Sequence, residues 1–129
     1  MKLTRETGTT YLIRGWEPGV IHIDEEHFTG NLIIGAEQLI TEWNPPAVKD
    51  LSVEALAPAL ALQPGILLLG TGPEVSFPDA DLAGLLAIDG IGLEVMATPA
   101  ACRTFNVLAV EGRPVVAALI NQDLASTAG

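Results

Sequence analysis

Gly65-Ile66-Leu67-Leu68-Leu69, closed by Gly70-Thr71-Gly72-Pro73, is the stretch on which the fold turns. A continuous apolar run of this length, ended by turn residues, is the pattern of a strand covered on both faces. The alternation of elements continues downstream of it. A helix is expected after Pro78, with Asp79 near its positive end and Leu82, Leu85 and Leu86 as its buried stripe. Asp89-Gly90 stops that helix, and residues 91–96 form a second strand in which Leu93 and Val95 alternate with Glu94 and Met96. Thr98 then stands as an N-cap with Pro99 at the first helical position, where its missing N–H costs nothing. Gly112 is placed to end this second helix in the left-handed conformation, and residues 114–120 form a last apolar strand. From Pro64 the order is therefore β-α-β-α-β. Parallel strands need such crossovers, which are right-handed in nearly all cases.

Upstream the signals are shorter. Residues 9–43 hold β-prone runs at Tyr11-Leu12-Ile13, at Val20-Ile21-His22-Ile23 and over residues 28–34, separated by turn chemistry at Glu17-Pro18-Gly19 and Asp24-Glu25-Glu26. Alternation puts Val20 and His22 on one face and Ile21 and Ile23 on the other. Asn44-Pro45-Pro46 marks a loop. Ser52 is a good N-cap, with Leu51 and Leu56 spaced as a hydrophobic staple, and Pro58 makes the following helix short or kinked. The expectation is an α/β fold: one three-layer domain with a mixed β-sheet over residues 1–129, its last residues 121–129 forming a frayed tail.

Composition limits the function classes. A chain of 129 residues fits one domain that buries roughly two-thirds of its unfolded surface. Its longest strongly apolar stretch, residues 115–120, is far short of a membrane helix, so membrane insertion is not expected. Met1-Lys2-Leu3-Thr4-Arg5-Glu6 has neither an apolar segment nor an Arg/Ser-rich amphipathic pattern, which gives a cytoplasmic address as the expectation. Sixteen acidic residues against six basic ones leave a net charge of −10, and no two basic residues are adjacent, so nucleic acid is a poor partner. The lone Cys102 excludes an intrachain disulfide and any multi-cysteine metal site.

Open α/β sheets bind ligands beyond the carboxyl ends of their parallel strands. Two such ends are legible, Gly70-Thr71-Gly72 and Ala97-Thr98, and both lead toward helix N-termini that suit an anion. Arg103 and Asn106, three apart, share a face of the second helix, whose other face is apolar through Ala101, Cys102, Phe105, Leu108 and Ala109. Gly70, Thr71, Gly72, Thr98, Arg103 and Asn106 are thus the candidate ligand-binding residues, converging on one small anionic or polar ligand.

A plainer reading carries more weight. Val75 stands where a GxGxxG fingerprint needs its third glycine, no Lys-Ser/Thr follows to make a phosphate loop, and Gly72-Pro73 is first of all a turn. On that reading Arg103 pairs with Glu94 or Glu111, and Asn106 satisfies a loop carbonyl. Cys102 lies in the first turns of its helix, but its neighbours Ala101 and Phe105 mark it as core rather than as a reactive thiol. His22 and His27 bracket Asp24-Glu25-Glu26; strand alternation followed by a turn gives no reason for them to converge, so a solvated turn is expected and no metal. No catalytic constellation and no cofactor is assigned.

One segment goes further. Gly92-Leu93-Glu94-Val95-Met96-Ala97-Thr98-Pro99-Ala100-Ala101-Cys102-Arg103-Thr104-Phe105-Asn106-Val107-Leu108, continuing as Glu111-Gly112-Arg113-Pro114-Val115-Val116-Ala117-Ala118-Leu119-Ile120, resembles a small domain of unknown function found across bacteria and archaea. That Mth-type domain is shared with a mitochondrial complex I assembly factor and an adipogenesis-associated protein. Gly70-Thr71-Gly72, Phe28-Thr29-Gly30-Asn31 and residues 43–45 fit the resemblance as well. It implies a three-layer α/β domain with a mixed sheet, no established catalytic residues, and protein binding rather than turnover. Together with the missing catalytic constellation and the acidic surface, that makes a protein partner or a homo-oligomer the expected mode of action. Two departures stand out: Phe105 occupies a place where the family leads one to expect Tyr, and no mitochondrial presequence is visible. The expected function is a non-enzymatic binding or assembly-factor-like module, with a small-molecule or anion site at Thr71, Thr98, Arg103 and Asn106 as the alternative.

Overall fold

A computed structural model describes residues 1–5 and 9–121. The frayed tail expected after residue 121 lies outside the described residues. Asn121 itself does not belong to a tail: it is buried.

Six strands form the main sheet: β1 (Lys2–Thr4), β5 (Leu32–Gly35), β6 (Gln38–Ile40), β7 (Ile66–Gly70), β8 (Gly92–Met96) and β9 (Val115–Leu119). Their spatial order is β1-β6-β5-β9-β7-β8. β9, β7 and β8 are parallel, while β5 meets β9 antiparallel and β6 and β1 continue that way. The mixed sheet is as the sequence implied.

A second, smaller sheet holds β2 (Ile13–Glu17), β3 (Val20–Ile23) and β4 (Glu26–Thr29) as an antiparallel meander. Here the structure divides the run read as residues 28–34. At Gly30, with φ +84°, the chain leaves the small sheet and enters the main one. A left-handed residue costs glycine nothing, which is why the corner falls there.

The apolar run at residues 65–69 does become the doubly covered strand. Leu67, Leu68 and Leu69 are completely buried, each contributing about 2–3 kcal/mol of transfer free energy. Leu68 faces one core with Ala117 and Leu119; Leu67 and Leu69 face another with Val116 and Ala118. The first core is capped by α3 (Thr98–Val110) together with the small sheet, the second by α2 (Asp81–Ile88) and the short α1 (Ala57–Leu60). The opposite placement of α2 and α3 has a simple cause. From β7 the chain steps outward to β8, then back across β7 to β9, and two right-handed crossovers of opposite direction must lie on opposite faces.

Three local expectations change. Leu85, assigned to the buried stripe of α2, is 51% exposed while Leu82 and Leu86 are buried, because α2 packs beside the edge strand β8 and nothing described lies beyond it. Ser52 does not cap α1, which is as short as Pro58 implies: Leu56 holds the cap position, and Ser52 Oγ accepts from Ala55 N at 3.2 Å in the turn ahead of it. His22 and His27 do face each other, as a cross-strand pair with ring centroids 5.6 Å apart, because Asp24-Glu25 closes a tight hairpin.

Candidate functional site

The carboxyl ends of β7, β8 and β9 are stitched together by backbone and two threonines. Thr98 does not cap its helix; Ala97 holds the cap position, and Thr98 is the first helical residue. Its hydroxyl instead donates to Ile120 O at 2.6 Å and accepts from Gly72 N at 2.8 Å, while Thr98 N donates to Gly72 O at 2.7 Å. The threonine is fully buried. Gly70 permits this contact: a Cβ there would lie 3.0 Å from Thr98 Cα. Thr71 is used in the same way. Its hydroxyl donates to Glu74 O at 3.0 Å and accepts from Ser76 N at 2.9 Å, closing the loop after β7.

Beyond these ends lies a largely apolar groove of about 450 Å³, walled by Thr71, Phe77, Ile120, Pro45, Val48 and Lys49. Arg103 and Asn106 are not part of it. They line a second groove of about 330 Å³ between α3 and β2, with Arg14, Trp16 and Pro99. The single crevice expected from sequence is therefore two grooves, because Arg103 and Asn106 lie on the part of α3 that runs under the small sheet.

Asn106 behaves as the plainer reading has it. Its Nδ2 donates to Ile13 O at 2.7 Å and its Oδ1 accepts from Ile13 N at 2.8 Å, so the amide takes both main-chain groups of one residue. Next to that clamp β2 carries a register shift between Ile13 and Gly15, the mark of a β-bulge, with Arg14 between them. Arg103, by contrast, pairs with neither Glu94 nor Glu111. Among the described residues the ion pairs join Arg5 to Asp24, His22 to Glu17 and the N-terminus to Glu42. Glu111 is eight residues from Arg103, about 12 Å along the helix and out of reach. Cys102 is buried, and that burial pushes its thiol from 9.0 up to about 12 against a partial lowering by Arg103. A thiol so placed is not a nucleophile near neutral pH.

Two clusters have no counterpart in the sequence reading. Trp16 Nε1 donates to Asn121 Oδ1 at 2.9 Å, and Asn121 N donates to Asn31 Oδ1 at 2.7 Å, which ties the small sheet to the end of β9. Arg5 reaches Asp24 at 2.6 Å with its guanidinium 4.7 Å from the Tyr11 ring centre, at a groove of about 400 Å³ beside β1. Both rest on partners far apart in sequence. The local signal is only the type of residue, a tryptophan or an asparagine near a strand end in the first and an arginine and an aspartate in the second.

The sequence pattern of the proteins of unknown function DUF498/DUF598 matches residues 13–120. The chain belongs to that family. A zebrafish relative, named NADH dehydrogenase [ubiquinone] 1 alpha subcomplex assembly factor 3, is 35% identical over 124 residues, covering 92% of this chain and 68% of its own length. Of the frog and mammalian proteins with the same name, the chain spans about half to two-thirds. Among solved structures, a Xanthomonas campestris protein superposes with a TM-score of 0.80 at 36% identity, over 96% of this chain and 95% of that one. A Bordetella pertussis protein described as a Mth938-like domain superposes with a TM-score of 0.73 at 25% identity, over 98% of each chain. The family resemblance read from residues 92–120 holds.

Proposed function

We propose that this chain is a non-catalytic binding module that acts by engaging another protein during the assembly of a larger complex. One observation carries the reading: the hydroxyls of Thr71 and Thr98 at the strand ends, where this architecture would hold a substrate, are spent inside the protein. Thr71, Thr98 and Asn106 bond their own main chain, which leaves Arg103, among the described residues, as the uncommitted polar group of the expected four. A site that turns over a substrate needs groups that are positioned and uncommitted. The assembly-factor relatives support the same role. Their name refers to proteins longer than this chain, so the particular complex they serve is not carried over.

The test is reconstitution. The tagged chain is recovered from the cell it comes from, and any co-purifying subunit is made separately and titrated back. A saturable complex of fixed stoichiometry is the expected result. The opposite result comes from a melting experiment with inorganic phosphate, nucleotides and carboxylates. If one of them raises the melting temperature by several degrees, and Arg103→Ala removes that rise, the small-ligand reading takes its place.

A further inference from the structure

α3 presents an outer face unlike the rest of the molecule. Arg103, Val107 and Val110, at i, i+4 and i+7, are its exposed stripe, with Val107 59% and Val110 70% exposed. In a chain with sixteen acidic residues this helix contains none, and its first acidic neighbour is Glu111, at the C-cap. Arg103 and Glu111 lie four residues before and four residues after Val107. Each is about 6 Å from it along the axis, and about 40° to either side of it around the helix.

We infer that this face docks a second copy of the chain, with two α3 helices packed antiparallel about a twofold axis at Val107. Such an axis exchanges the positions four before and four after the central residue. Where the two helices cross at about 50°, so that their i, i+4 rows run along one another, Arg103 lies opposite Glu111 of the second copy, and Glu111 opposite the second copy's Arg103, while the valines meet between them. One symmetric contact satisfies two exposed charges twice, as an isologous interface requires. The inference is separate from the assembly reading and does not depend on it.

Charge placement supports this occupant. Glu111 sits at the negative end of its own helix, where a carboxylate is unfavourable, and among the described residues Arg103 has no carboxylate within ion-pair distance. Antiparallel docking moves Glu111 over the N-terminal half of the other helix and aligns the two helix dipoles head to tail. Arg14, which lines the β2–α3 groove with Arg103, adds a second cation on that flank of the helix. The other exposed apolar helix face, Leu85 and Ile88 on α2, lacks this property: its charged neighbours Asp79, Asp81 and Asp89 are all acidic, so two copies would repel there. A helix of 13 residues is about 20 Å long, and its stripe falls short of the ~800 Å² per partner of a standard interface. The dimer is therefore weak, with a dissociation constant on the order of 100 μM.

Sedimentation equilibrium of the full chain from about 10 μM to about 1 mM, in about 150 mM salt, reads this directly. A monomer–dimer equilibrium is expected. Arg103→Glu alone and Glu111→Arg alone each weaken it about tenfold or more by opposing like charges, Val107→Glu abolishes it, and the double exchange R103E/E111R restores it. All these positions are exposed, and circular dichroism checks that each variant is folded. A chain that stays monomeric at about 1 mM overturns the inference, and so does a dimer that is indifferent to the single reversals or unrestored by the double one. A monomer that still binds a protein partner overturns this inference alone and leaves the assembly reading standing.

Discussion

Thr98 joins three elements through one hydroxyl. It holds Gly72 N–H at the end of β7 and Ile120 C=O at the end of β9, from the first residue of α3. Both main-chain groups lie at a buried seam, so their loss is felt in full. Thr98→Val, equal in shape, should destabilise the protein by about 2–4 kcal/mol in urea unfolding, and Thr98→Ser should recover most of that. Cys102 gives a second prediction at this scale. Its thiol is raised from 9.0 to about 12 by burial, so between these values the unfolded chain releases a proton that the folded chain keeps. Stability from this group is intact below pH 9.0 and is lost as pH rises toward about 12. Denaturation of wild type and Cys102→Ala at a series of pH values above neutral should show the wild type falling more steeply. The folded thiol should also resist alkylation at about pH 8, below its unfolded value. Rapid modification without unfolding would contradict the burial.

At the level of elements, the junction that matters is α3 with β2. The small sheet adds Ile13, Ile21 and Ile23 to the first core, but its alignment on α3 is fixed by the Asn106 amide on Ile13. Asn106→Ala leaves both main-chain groups of Ile13 without that partner. Hydrogen exchange at the Ile13 amide should accelerate at least about tenfold, with smaller changes across β2 and β3, while amides of β7 and β9 keep their protection. Asn106→Asp keeps the acceptor for Ile13 N–H and loses the donor to Ile13 O, so its exchange should fall between the two. This junction is half legible in the sequence. That Asn106 satisfies a main-chain carbonyl is among the readings its position allows, whereas its partner, 93 residues away, is set by tertiary contact.

Over the whole molecule the net charge of −10 on 129 residues sets a background of self-repulsion. Few ion pairs offset it among the described residues, so screening should help the fold. Raising sodium chloride from about 10 to about 150 mM is expected to increase the melting temperature by a few degrees. A melting temperature that falls over that range would mean that local attraction outweighs the global field. The same field makes α3 stand out, since it is the longest helix among the described residues and has no acidic side chain between Thr98 and Val110.

Local signals along the chain suffice for the α/β class, for the β-α-β-α-β order after Pro64, and for the buried character of residues 67–69 and 115–119. Period, turn residues and doubly covered apolar runs are each complete within a few residues, so they can be read without knowing what packs against them. Gly90 and Gly112 at the helix ends are of the same kind, and both adopt positive φ. Other features come from the folded arrangement alone: residues 28–34 divide between two sheets, Leu85 faces out, and Thr98 ties strands instead of capping a helix. The division of the expected crevice into two grooves belongs with them. Each depends on which distant group arrives beside the residue, Ile120 beside Thr98 or Ile13 beside Asn106. A side chain's capacity to bond is written in its residue type, and folding selects the partner that uses it.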